Sequence, residues 1–587
     1  MTNSNSSPNI EVWESIDWRK VERYVFKLQK QIFKASRQGN KKKVRQLQKT
    51  LMRSWSNRLL AVRRISQDNR GKKTAGVDGV KSLTPIARIK LAKQLRIKGK
   101  SKTTRRVWIP KPGKDEKRPL GIPTMHDRAL QGVIKNAIEP EWEAVFEPNS
   151  YGFRPGRSCH DAIQQIRVSI DRKPKYVLDA DISKCFDKID HTALLNKLGY
   201  KGKVRQQIKA WLKSGVIDNK TFLETEEGTP QGGVASPLLA NIALHGLENH
   251  LNKFAKTIDM KRPEGHQLGW QMKVNSLNFV RYADDFVLMH RDKKVILDGK
   301  KVIEKWLSEV GLELKPSKTR IAHTLIPEES EDGNAGFDYL GFHIRQFKTG
   351  IHSSKRGSTG LPLGFRTLIT PTKQAYKKHQ EKLKETIKNK KIEGQAQLIG
   401  KLNPIIRGWM NYYKKSDIST VHGHSNQDND LYLKLRSWSR RRCKTKWHEA
   451  YKKYWNYVKV KGKTVKRFSY REGDNAFFLI SHTDISCSNK YIKVKGNASP
   501  YDGNLSYWAT RMGRHPELDS LKANLLKKQK GKCTHCGLYI RGKDIQETDH
   551  IIAKMLGGKN VYSNYQLLHG HCHDEKTAKD IKLKQCS

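Results

Sequence analysis

The segment Phe279-Val-Arg-Tyr-Ala-Asp-Asp-Phe-Val-Leu-Met-His290 sets two adjacent aspartates between two apolar runs rich in aromatic and β-branched residues. That pattern predicts strands over 277–283 and 286–290 joined by an acidic turn, a β-hairpin. Neighbouring side chains on a regular strand point to opposite faces, but at a tight turn both can approach one site. Two bare carboxylates between buried strands are costly unless something positive holds them. Aspartate is also common in ordinary exposed turns, so the pair gains meaning only from a partner. A second acidic strand end supplies one, in Tyr176-Val-Leu-Asp-Ala-Asp-Ile-Ser-Lys-Cys-Phe-Asp187. Here Asp181 closes an apolar strand and precedes a helical stretch carrying Phe186. Convergence of Asp181, Asp284 and Asp285 would make a hard, oxygen-rich pocket of the kind Mg²⁺ prefers. Two such ions about 3.5–4 Å apart clamp the attacking and leaving oxygens of an in-line phosphoryl transfer. That chemistry extends nucleic acids.

Charge points the same way. The 587 residues include 115 Lys+Arg against 57 Asp+Glu, a net charge of +58 on a chain that is 36% hydrophobic. So basic a chain with folding-competent composition implies a polyanionic partner. Aromatic and β-branched residues recur throughout, which argues against disorder. No apolar run approaches the roughly 20 residues needed to span a bilayer, so no membrane association is expected. The start, Met1-Thr-Asn-Ser-Asn-Ser-Ser-Pro, carries no secretory pattern.

The chain divides on composition into five expected segments. Residues 1–75 read as a basic helical extension, and 76–350 as a mixed α+β unit that includes a strand over Val107–Ile109. A glycine-rich linker occupies Gly350–Gly364. Residues 365–460 read as helical, with Asn403 as an N-cap and Pro404 at the first helical position. Ile405, Trp409 and Tyr412 form the expected buried stripe of that helix. Arg440-Arg441-Arg442 and the following lysines interleave with Trp438, Trp447, Tyr451, Tyr454 and Trp455. A charge run is usually a solvated face, yet cations mixed with aromatics suit phosphate contact plus base stacking. Residues 461–524 are a basic connector, and 525–587 a small Cys/His module.

In that module, Cys533-Thr-His-Cys536 and His569-Gly-His-Cys572 have zinc-site spacing. The expected ligands are Cys533, Cys536, His569 and Cys572, with His571 and His535 as competitors. In so small a module, metal binding would supply much of the folding free energy. A purely structural zinc ribbon is the plain alternative. The remaining five cysteines read as buried or incidental thiols, consistent with a reducing compartment.

Asp181-Ile-x-x-x-Phe186, Gly228-Thr-Pro-Gln-Gly-Gly233 and Tyr282-Ala-Asp-Asp285 occur in reverse-transcriptase order. With Trp108-Ile-Pro-Lys-Pro-Gly113, Arg118-Pro-Leu-Gly-Ile-Pro123, Tyr151-Gly-Phe-Arg-Pro-Gly156, Leu314-Lys-Pro-Ser-Lys-Thr319 and Tyr339-Leu-Gly-Phe342, the chain resembles a group II intron-encoded protein. The resemblance implies a right-hand polymerase of fingers, palm and helical thumb. It makes Asp181 and Asp284 the principal Mg²⁺ ligands and Asp285 the third carboxylate, with Asp179 structural. It places Phe186 under the incoming sugar to exclude a 2′-OH, Gln231 in the nucleotide pocket, and Lys111 and Arg118 on the triphosphate. Gly341 and Phe342 would help hold the primer end.

Glu547-Thr-Asp-His550, Asn564 and His573 resemble the His-Asn-His nuclease motif. The resemblance makes His550 the general base, Asp549 and His573 ligands of one catalytic divalent cation, and Asn564 the brace of the loop. His569 and Cys572 are expected on one helix at i and i+3. The implied partners are group II intron RNA, target double-stranded DNA and dNTPs. The implied compartment is the bacterial cytoplasm and nucleoid, or an organelle. The implied work is reverse transcription, maturase action and nicking for retrohoming. The competing readings are a splicing maturase without an active polymerase, and another polymerase on the same palm.

Overall fold

The computed structural model describes residues 13–110, 117–218, 221–225, 228, 232–261, 264–350, 352, 355–357, 360–389, 394–444, 446–472, 475–512, 518, 520–540 and 544–586. Lys111 and Gln231 lie outside the described residues.

Three helices open the described chain: Trp18–Arg37, Lys41–Arg53 and Trp55–Arg63. Asp17, Asn40 and Ser54 cap them by accepting from backbone N–H groups three residues on, which satisfies donors a helix start leaves free. Val21, Val25, Leu28 and Ile32 recur at helical spacing and are buried against the long helix Met125–Glu143, at the bottom of one continuous core. The Asn57 amide donates to the carbonyls of Leu51 and Val133, both at 3.1 Å, so the interface is pinned by buried polar contacts as well as area.

The fingers carry a four-stranded sheet in the order Lys117–Ile122, Thr104–Pro110, Val216–Asp218, Thr221–Leu223. The palm is a second four-stranded sheet, in the order Asn278–Tyr282, Asp285–His290, Tyr176–Asp181, Arg320–His323, antiparallel throughout. The expected hairpin is therefore present. Its turn carries Ala283 at φ 59°, and Gly152 lies so close beneath that a Cβ there would stand 2.3 Å from the Ala283 nitrogen. The motif around Tyr151 is thus a cradle for the acidic turn.

Several expectations for the thumb are corrected. Residues Phe365–Pro371 form a strand paired with Phe342–Lys348, not a helix. Asn403-Pro404 does not start a helix, because one helix runs uninterrupted from Gln395 to Tyr413 with Pro404 inside. The Asn403 side chain instead donates to the Phe478 carbonyl and accepts from the Ile480 N–H. The buried stripe is Leu398, Leu402, Ile406, Met410 and Tyr413, while Ile405, Trp409 and Tyr412 flank it, half-buried. Reading the helix from residue 404 lost its first two turns and with them its phase. The aromatics of 438–455 pack on one another: Trp438 and Trp455 are buried, and Phe468 joins both. Trp447, Tyr451 and Tyr454 are half-buried around them. The cations differ, since Arg436, Arg440, Arg441 and Lys444 line one open groove of about 500 Å³.

Strands Trp455–Val460, Lys463–Glu472 and Asn475–Phe478 form a three-stranded sheet that straddles residue 460, where the sequence suggested a boundary. The chain then returns to the palm. Arg511 pairs with the buried Asp161, Tyr501 donates to Glu139 at 2.7 Å, and Trp508 fills the space over Gly156. The last unit pairs Gln546–His550 with Tyr565–His569 and follows with helix Gly570–Cys586, a ββα unit with its own small core.

Thumb and palm are locked by Asp417, which pairs with Arg167 and accepts from the Ile369 N–H and the Asn489 amide, both at 2.8 Å. Removing one partner of a buried pair strands the other charge, typically at about 3–5 kcal/mol. Asp417→Ala should therefore lose stability of that order in urea unfolding, against a near-neutral change for exposed Lys382→Ala.

Candidate active sites

Antiparallel register sets Asp181 directly opposite Asp285, and Tyr282 opposite Asp285 on its other side. Asp284 sits in the turn, its carbonyl accepting from the Ile182 N–H at 3.3 Å, which ties the hairpin tip to the end of the central strand. The sequence therefore brings all three carboxylates together. Lys318, within the Leu314–Thr319 motif, places its ammonium on Asp181. Burial, reinforced by Asp284 and Asp181, pushes Asp285 up to about 7. Burial and then Asp181 also raise Asp284 above the carboxylate range. The donor set is all oxygen and short of positive charge, which fits a hard divalent cation. Asp179, half-buried and raised to about 7 by desolvation, stands 3.8 Å from Arg320.

A cleft of about 1040 Å³ opens over the triad and is lined also by Arg118, Lys318 and Phe186. Lys184, at φ 44°, turns the chain from the strand into the short helix Cys185–Lys188. Phe186 then meets Phe153 edge-on at 6.0 Å. Gly228, at φ 82°, lies against the Asp187 backbone, where a Cβ would come within 2.6 Å, and so braces the helix that carries Phe186. Arg118 projects from the finger strand into the same cleft. Gly341 lies in the turn between strands Phe337–Tyr339 and Phe342–Lys348, at φ 81°. The Phe342 ring is buried, stacked on Tyr412 at 5.3 Å, and supports that turn from within.

In the C-terminal unit, the ligand atoms of Cys533, Cys536, His569 and Cys572 all lie within 4.8 Å of one another, and all four residues are buried. Mutual thiol hydrogen bonds drive Cys533 far below and Cys572 far above the ordinary thiol range, a conflict that one soft cation would resolve. His569 ends a strand instead of sharing the helix with Cys572. Its Nδ1 faces Cys536 Sγ at 3.3 Å and its Nε2 faces Asp544 at 3.5 Å, the outer partner expected of a metal-bound imidazole. His571 turns away toward Glu22 at 3.9 Å, and His535 toward Glu575 at 3.2 Å.

Beside this cluster, Asp549 lies 3.8 Å from His573 and 3.3 Å from Lys576. Asn564 clamps its loop: its amide donates to the carbonyls of Ile552 and Lys559 and accepts from the Ile552 N–H. His550 stands at the end of the strand, its ring 4.9 Å from Tyr565.

Comparison with known proteins follows this layout. Residues 13–95 match the N-terminal domain of reverse transcriptase and 109–344 match reverse transcriptase (RNA-dependent DNA polymerase). Residues 376–455 match the group II intron maturase-specific domain, and 533–579 match HNH endonuclease. The chain is 32% identical to protein YkfC of Escherichia coli K12 over 309 residues, covering 48% of this chain and 78% of YkfC. It is 31% identical to group II intron-encoded protein LtrA of Lactococcus lactis over 343 residues, 49% of this chain and 53% of LtrA. It therefore spans about half the length of that relative. Maturase-like protein 1 of Euglena gracilis is 26% identical over 426 residues, 70% of this chain and 80% of that protein. The chain belongs to the group II intron-encoded proteins. It is a multifunctional member, with reverse transcriptase, maturase and HNH endonuclease domains.

Sequence reasoning about this intron-encoded protein missed three supports. Lys318 lies inside a quoted motif but carried no role. Arg281, fully buried, donates to Asn241 and to the Ala283 carbonyl, and so props the acidic turn; only its place inside an apolar strand could have revealed it. Lys576 lies one helical turn past His573 and was hidden among surface lysines.

The raised Asp285 gives a pH test. Its folded form holds a proton that the unfolded chain releases near pH 4, so its contribution to stability falls as pH rises from about 4 to about 7. Metal-free Asp285→Asn should lack that falling component. The stability gap between variant and wild type should widen across this window in urea titrations, and shrink for wild type when Mg²⁺ is added.

Proposed function

We propose that this protein copies intron RNA into DNA from a primer that its own nuclease helps to create. The observation that carries the reading is the Asp181–Asp285 register with Asp284 at the turn, facing a cleft shared with Phe186 and Arg118. Asp181 and Asp284 would hold the cations, and Asp285 would complete the set. Mg²⁺ bound there would favour the primer 3′-alkoxide and offset charge on departing pyrophosphate. The residues do the rest. Arg118 meets the triphosphate, Phe186 closes the space that a 2′-OH would need, and Lys318 is the charge that must yield Asp181 to a cation.

The nuclease reading assigns His550 as base, Asp549 and His573 as ligands of a catalytic divalent cation, and Asn564 as brace. Cys533, Cys536, His569 and Cys572 would hold a structural Zn²⁺. Residues 1–75, the fingers and palm of 76–350 and the thumb of 365–460 grip intron RNA and favour its splicing-competent form. Residues 461–524 link the thumb to the nuclease of 525–587 and face target DNA. Phosphate contacts give that grip its strength, and unpaired bases and RNA shape its specificity. Nicked target DNA supplies the 3′-OH that the palm extends, which is retrohoming. Among the described residues, no helix is long and apolar enough to cross a membrane.

Two substitutions separate the sites. Asp284→Ala should slow primer extension on an RNA template at least about 100-fold, a loss within the several kcal/mol that metal-borne charge stabilisation supplies, while DNA nicking persists. His550→Ala should abolish nicking and leave extension intact. Wild-type extension by Asp284→Ala would remove the catalytic assignment, and retained nicking by His550→Ala would return the C-terminal unit to a structural role.

A further inference from the structure

His550 is the expected base, but an imidazole has two nitrogens and only the one without a proton can accept another. The structure offers a device that chooses between them. His550 Nε2 lies 2.8 Å from Asn560 Oδ1. An amide oxygen can only accept, so this contact keeps the ring proton on Nε2 and leaves the lone pair on Nδ1. A second donor agrees on the orientation of that amide: the Tyr565 hydroxyl, 3.5 Å away, also points at Asn560 Oδ1. The Tyr565 ring lies against the imidazole, tilted by 56°, and restricts its rotation. Asn560 is itself confined. The Asn564 side chain bonds the carbonyl of Lys559, its immediate neighbour, and both backbone groups of Ile552 across the loop.

We infer that Asn560 is a positioning residue of the nuclease, acting through His550 to fix its tautomer and ring plane. The inference rests on the nuclease reading for its consequence, though not for the contact itself. In the hydrolytic step, a water proton passes to Nδ1 as the water oxygen forms the new bond to phosphorus. The bond from phosphorus to the departing sugar oxygen breaks, and that oxygen takes its proton from solvent. A ring protonated on Nδ1 could not receive the proton. The role belongs to a side chain, so substitution can remove it, which would be impossible for a backbone carbonyl. Asn564, four residues on, does different work: it shapes the loop and makes no contact with the imidazole among the described residues.

The test uses full-length, metal-free protein with ¹⁵N-labelled histidine, the His550 signals being identified by their loss in His550→Ala. Long-range ¹H–¹⁵N correlations should show the Nε2–H tautomer alone in wild type. Asn560→Leu, similar in size but without an acceptor, should give a mixture of both tautomers. In nicking assays its kcat should fall 10–100-fold, the usual cost of losing an orienting partner of a functional histidine, with KM for DNA unchanged. Asn560→Asp keeps an acceptor and should restore the single tautomer. Primer extension at the wild-type rate by each variant reports an intact fold. An Nδ1–H tautomer in wild type, or an unchanged spectrum in Asn560→Leu, would overturn the inference. Full nicking by His550→Ala would instead sink the nuclease reading, while the spectra would still report on the contact.

Discussion

Asp181 and Asp285 face each other across neighbouring antiparallel strands, and a β-ladder by itself disfavours like charges directly opposite. Much of the palm answers that conflict. The turn holding Asp284 is set by a left-handed Ala283 seated on Gly152. The buried Arg281 props the turn from below through the Ala283 carbonyl. Lys318 approaches Asp181 from the next strand connection. Repulsion that would unfold a lone hairpin is confined by the core beneath it, where Val280, Phe286, Val287 and Leu288 are fully buried. A site under this tension favours whatever brings positive charge to it.

The nuclease solves a related problem with less material. A ββα unit of this size has little core of its own: Leu525, Leu526, Ile540, Leu567 and Leu568 are the large aliphatics buried in it. Three thiols and an imidazole gathered in its interior substitute for missing hydrophobic area. The Cys₃His cluster and Asp549, His550 and His573 share the strand pair and the start of the last helix, so ordering of the one helps to order the other. The unit also leans on the rest of the chain, through His571 to Glu22 on the first long helix. The connector before it is strapped to the palm through Arg511 and Asp161. Among the described residues, contacts of this kind tie both the connector and the nuclease unit to the polymerase.

What the sequence disclosed depended on how local each signal was. The acidic hairpin was legible because alternation, turn chemistry and the second aspartate strand all lay within short windows. The metal cluster was legible because four rare ligands stood at fixed spacing, although not the fact that His569 belongs to a strand. Asn403-Pro404 misled because proline after asparagine usually opens a helix, whereas here tertiary packing of Leu398 and Leu402 carries the helix through it. The burial of Trp438 and Trp455 was not legible, because burial cannot be read from composition when cations intervene. Lys318 and Asn560 were silent for a different reason. Their roles arise from contacts across the fold, and an isolated lysine or asparagine carries no pattern.

Polymerase chemistry at this palm requires the three aspartates to share cations at a primer terminus. The direct measurement is anomalous scattering from crystals of the protein with primer, RNA template, a non-hydrolysable dNTP and Mn²⁺. Two peaks about 3.5–4 Å apart, bounded by Asp181, Asp284 and Asp285 with Lys318 withdrawn from Asp181, are the predicted result. Manganese density absent from that cleft while template and nucleotide are bound, or coordinated by other residues, would contradict it.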